Sequence, residues 1–96
     1  MANHKSAAKR ARQNKKRYMR NKAYRTRLKN VLKKARLIIE QENDRETVEK
    51  HLREAERVIR KIYSKGVIKE NKASRLISRL YQKAHKKFTQ AEAEAS

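Results

Sequence analysis

The chain has 96 residues, room for one domain and not two, with 29 Lys and Arg against 10 Asp and Glu and a formal net charge of +19. It has no cysteine, which excludes disulfides, zinc knuckles and thiol catalysis. No apolar run approaches the roughly 18 residues of a membrane span, and none follows the basic start as in a secretory leader.

The charge is unevenly spread. Residues 1–39 hold fifteen basic residues and no acid; residues 40–96 hold the other fourteen and all ten acids. A block of one sign is either a solvated tail or the footprint of a polyanion. At this density a polyanion is favoured, and nucleic acid is the commonest. An acid-free, Arg-rich start also occurs in organellar transit peptides, but the apolar residues here form no single face. The chain therefore reads as a soluble cytoplasmic protein.

A first helix is expected over about residues 4–41. Tyr24, Leu28, Val31, Leu32, Ala35, Ile38 and Ile39 recur with helical period and occupy an arc of about 120°. Upstream, the same arc carries Arg10, Arg17 and Arg20, so the outer half of this helix has no apolar face to bury. Like-charged neighbours crowd the helix between Lys5 and Arg36. Pairs at i,i+4 are 5/9, 12/16, 16/20, 25/29 and 29/33; pairs at i,i+3 are 9/12, 12/15, 17/20, 22/25 and 33/36. At about 0.2–0.5 kcal/mol each, the ten cost roughly 2–5 kcal/mol at low salt. Residues 5–23 are therefore expected to be marginal as a free helix, and to be completed by a partner that brings phosphates.

The segment "EQENDRET" breaks the pattern, with Asn43 or Asp44 as cap and Glu46 placed for a capping box. A second helix is expected over about 44–65, with Val48, Leu52, Ala55, Ile59 and Ile62 as its apolar stripe. Glu46/Lys50, Glu49/Arg53 and Glu56/Arg60 are spaced for i,i+4 ion pairs with the acid first, so its outer face should neutralise itself. Gly66, the only glycine, suits the left-handed residue that closes a helix. Ile62 and Val67 fall where the accompanying apolar contact is made. Asn71 is the expected cap of a third helix over about 71–89, with Ala73, Leu76, Ile77, Leu80, Ala84 and Phe88 inward. Lys72, Arg75, Arg79, Lys83 and Lys86 form one row beside that stripe, within about 80°. The tail at 90–96, acidic and built of small residues, should fray. The expected fold is all-α: an antiparallel three-helix bundle whose long, basic first helix extends beyond it.

Chemistry-bearing arrangements are absent from the sequence. His4, His51 and His85 are unpaired at helical spacing, there is no Gly-rich phosphate loop, and Glu54 and Glu56 point to different faces. No enzyme activity, metal or cofactor is expected. Tyr18, set among cations, is a candidate to stack on bases; Tyr24 opens the core stripe.

The opening "MANHKSAAKRARQNKKRYMRNKAYRTRLK" and the later "KGVIKENKASRLISRL" resemble the bacterial small-subunit ribosomal protein S-twenty family over nearly the whole chain. That resemblance implies a three-helix bundle bound directly to 16S ribosomal RNA, helping to fold and hold the small subunit and having no catalytic role. It implies that Asn3, Lys5, Ser6, Lys9 and Arg10 lie where the chain enters the RNA, that Arg20, Asn21, Lys22, Ala23 and Arg27 form the middle motif, and that Lys65, Gly66, Ile68, Asn71, Lys72, Ala73, Arg75, Ser78, Arg79 and Leu80 form the last. His4, Ala8, Lys69 and Glu70 depart from the family pattern, and Glu70 is not expected to touch phosphate. Charge adds Arg12, Lys15, Lys16, Arg17, Arg25, Lys29 and Lys83 to the expected RNA-binding set. The expected partners are 16S ribosomal RNA and other small-subunit components, with no membrane and no homo-oligomer. A DNA-binding basic zipper is disfavoured because the apolar stripe stops after Ile39 instead of continuing as heptads. A membrane-surface protein is disfavoured because the opening half lacks an apolar face.

Overall fold

A computed structural model describes residues 2–95, with side chains for residues 6–93. It consists of three helices, α1 (Ala2–Gln41), α2 (Arg45–Ser64) and α3 (Glu70–Ala95), and no strand among the described residues. The path is up-down-up. Arg45 at the start of α2 meets Glu92 near the end of α3 at 3.3 Å, and Glu40 near the end of α1 meets Lys83 of α3 at 2.9 Å.

The three apolar stripes meet as the periodicity predicts. Leu28, Ala35 and Ile39 of α1 are buried against Val48, Leu52, Ala55, Ile59 and Ile62 of α2 and against Ala73, Ile77, Leu80 and Ala84 of α3. Among the described residues no polar or charged residue is buried, so the core requires no compensating ion pairs. Ile68, in the α2–α3 connection, is also buried.

Helix ends follow backbone chemistry more than side-chain caps. Asp44 is the N-cap of α2, with φ −83° and ψ 114°, but its carboxylate makes no bond to a backbone N–H. It accepts the Thr47 hydroxyl at 2.6 Å instead. At the other end Gly66 has φ +76° and donates its N–H to the Tyr63 carbonyl at 2.9 Å, as expected of a glycine just past a helix C-terminus. Asn71 is not the cap of α3. Ala73 N–H bonds to the Lys69 carbonyl at 3.0 Å, which places the cap at Lys69 and Asn71 inside the first turn. Glu70, also in that turn, supplies the negative charge that the helix N-terminus favours.

Helix α3 also continues through the segment expected to fray. Residues 91–95 stay helical, consistent with the high propensity of Ala and Glu, and the Arg45–Glu92 pair ties them to α2.

The molecule measures 78 × 21 × 14 Å with a radius of gyration of 19.3 Å, against about 12–13 Å for a compact domain of this length. The excess is α1. Its 40 residues span about 60 Å, twice the length of α2, and the outer half projects from the bundle as one continuous helix. Among the described residues, the outermost hydrogen bond between α1 and the rest of the chain runs from Arg20 Nη2 to the Lys65 carbonyl, at 3.2 Å.

Candidate nucleic-acid interface

From Ser6 to Arg20 every side chain of α1 is exposed. At about 100° per residue, Lys9, Arg10, Arg12, Lys15, Lys16, Arg17 and Arg20 spread over about 220° of the circumference, leaving a neutral strip of Ala7, Ala11, Asn14 and Tyr18. Among the described residues, none of the cations from Lys9 to Arg36 has an acidic partner. A rod charged over more than half of its circumference matches a partner that wraps it better than a flat docking surface. The side chains of Asn3 and Lys5 lie outside the described residues.

Nearer the bundle, Lys22, Arg25, Arg27 and Lys29 are exposed around the buried Leu28, and Asn21 is half-buried with its Oδ1 atom lacking a hydrogen-bond partner. Tyr18 is 60% exposed among the cations, whereas Tyr24 packs on the core. The two tyrosines thus separate as expected.

Helix α3 divides its row of cations. Lys72, Arg75 and Arg79 are exposed and unpaired among the described residues, with Asn71 beside them. Lys83 is engaged: its ammonium bonds to Glu40 at 2.9 Å. That hydrogen bond, reinforced by the lysine's charge, holds the Glu40 carboxyl below the ordinary carboxylate range. Lys87, which carried no sequence signal, donates to the carbonyls of Ile39, Glu42 and Glu40 at 2.5, 2.7 and 3.2 Å. Helix α1 has no basic residue in its own last turn; Lys87 supplies that cation from another helix.

The outer face of α2 neutralises itself only in part, and of the three expected i,i+4 ion pairs one forms. Arg60 reaches Glu56 at 3.1 Å. Glu49 pairs backwards with Arg45 at 3.3 Å, while Arg53 donates to the Glu49 carbonyl. Tyr81 donates to Glu56 at 2.9 Å, and burial together with that bond pushes its phenol above the usual range. In α2 four acids offset most of the charge of six Lys and Arg residues, whereas residues 6–20 of the projecting helix carry no acid at all.

The described residues contain no group of His, Asp and Glu able to hold a metal ion, and none of their helices is long and apolar enough to cross a membrane. The fold and surface define a small helical protein with an unneutralised basic arm.

The chain belongs to the family described as Ribosomal protein S20, whose model matches residues 2–86. It is 51% identical over 85 residues to the Small ribosomal subunit protein bS20 of Desulfatibacillum aliphaticivorans, covering 86% of this chain and 93% of the relative. It is 48% identical over 85 residues to the protein of that name from Syntrophobacter fumaroxidans, covering 88% and 98%. The Nitratiruptor protein of that name is 46% identical over 82 residues, covering 85% and 90%.

Proposed function

We propose that this protein is a structural constituent of the small ribosomal subunit in the cytoplasm, binding 16S ribosomal RNA directly and stabilising its folding and assembly. The observation that carries this reading is the projecting half of α1, whose cations have no acidic partner among the described residues. Family membership supports the ribosomal assignment. The protein acts as a monomer beside other subunit components, without catalytic chemistry.

Repulsion along α1 supplies the mechanism. Phosphates placed around the helix turn each like-charge penalty into attraction and release counterions from the RNA. The deep, narrow major groove of A-form RNA does not admit a helix, so these cations contact phosphates of several RNA helices and read their shape. Lys72, Arg75, Arg79 and Asn71 on α3 offer a second surface, and the protein bridges two RNA segments.

The test is RNA binding as a function of salt. Replacing Lys9, Arg12 or Lys16 singly with Ala is expected to weaken binding and lower the salt slope by about one unit each. An unchanged slope removes that residue from the contacts, and unchanged slopes for all three contradict the reading.

A further inference from the structure

Where α1 joins the bundle, an open groove lies between it and the segment from Val67 to Leu76. Leu32, Val67 and Leu76, all half-buried, form its floor over the buried Leu28 and Ile68. Lys22, Arg25 and Lys29 line one rim; Lys69 and Lys72 line the other. Among the described residues none of these five cations is in an ion pair. An apolar trough framed by unpaired positive charge fits an occupant with a flat, weakly polar body and anionic flanks. A nucleotide has that composition, with its base between two phosphates.

The rest of α1 leads to the same place. Asn14, Tyr18, Lys22, Arg25 and Lys29 follow one another at spacings of four and three, a continuous row on the helix surface. An RNA strand following that row reaches the groove. A base held in a duplex does not, because its stacked face is covered and only its edges are accessible.

We propose that this groove receives the base of one unpaired nucleotide, with the rim cations on its flanking phosphates. The inference rests on the RNA-binding reading and adds to it a point of registration. Phosphate contacts hold a helix against RNA, but a base in a shaped groove fixes where along the RNA it sits.

The native chain has no cysteine, so Thr26→Cys, on the groove wall, provides a unique attachment for a photo-crosslinker. The modified full-length protein is bound to 16S ribosomal RNA, the crosslink mapped by primer extension, and base accessibility read with base-specific chemical probes. The expected result is a crosslink at one unpaired nucleotide whose base loses reactivity in the unmodified complex. That base regains reactivity with Leu76→Gln, and also with Lys69→Glu, which is exposed and leaves the core untouched. Crosslinks spread over paired nucleotides overturn the proposal, as does a base equally reactive with and without the protein. Crosslinking to a neighbouring protein in reconstituted subunits also overturns it. If RNA binding persists in those cases, the proposed function survives and only the groove assignment fails. Absence of RNA binding removes both.

Discussion

The two halves of α1 share a helix and a supply of Lys and Arg, yet they are held differently. In the inner half, the arc facing the bundle carries Leu28, Ala35 and Ile39, all buried. In the outer half, the continuation of that arc carries Arg10, Arg17 and Arg20, and nothing from Ser6 to Arg20 is covered. Basic residues are compatible with a folded helix when its opposite face buries apolar surface. Without that face, intrinsic propensity must oppose charge repulsion unaided. One half belongs to the protein's core; the other is left for its partner.

Substitutions separate the halves. Ile39→Ala, at a side chain only 1% exposed, is expected to cost about 2–5 kcal/mol through lost burial and the cavity it leaves. Arg17→Ala, fully on the surface of the outer half, should stay within about 0.5 kcal/mol. Denaturant unfolding of both variants checks the contrast, and equal losses would break it.

A smaller effect is expected where α3 secures the end of α1. Lys87→Met keeps the apolar stem but removes the ammonium from three carbonyls. Charge-assisted hydrogen bonds in partly covered positions suggest a loss of about 1–3 kcal/mol. The same unfolding measurement reads it, and an unchanged midpoint would mean that the carbonyls are satisfied equally well by water.

The smallest effect is a pH dependence. The Glu40 carboxyl titrates below its ordinary value, chiefly through the Lys83 hydrogen bond and then its charge. The unfolded chain therefore binds the proton more readily, and stability falls with decreasing pH. This contribution is fully present above about 4.5, the ordinary carboxyl value, and lost as pH drops through the folded value. In Lys83→Ala, an NMR titration of Glu40 should return toward that ordinary value; an unchanged titration would remove Lys83 as the cause.

Much of this architecture was legible in the sequence because periodicity reports burial. Every buried residue of α2 belongs to the stripe Val48, Leu52, Ala55, Ile59 and Ile62, and Gly66 marks its end through a positive φ. Ile68 escaped because a buried residue in a connection has no period to follow. The start of α3 was misplaced because Asn71 has good capping chemistry, whereas the position is fixed by the backbone bond from Ala73 to Lys69. Acidity and small residues point to fraying of the tail, but its Ala and Glu residues favour helix and Glu92 pairs with Arg45 of α2.

The candidate interface was legible as charge and less so as availability. Exposure of Lys9, Arg12 and Lys16 followed from the lack of any apolar face around them. Engagement of Lys83 by Glu40 did not, since 43 residues separate the partners. Lys87 was harder still. Its acceptors are backbone carbonyls, which every residue possesses, and only the meeting of α1 and α3 selects these three.

The most direct test of the account is amide hydrogen exchange of the free protein and of its complex with 16S ribosomal RNA. The amides from residue 28 to residue 39, backed by the bundle, should be protected in both states. Those from residue 6 to residue 20 should be protected only with RNA, because repulsion leaves that half marginal until phosphates surround it. Equal protection of the outer half in the free protein would contradict the account, since it would mean a rod stable by itself and a repulsion too weak to matter.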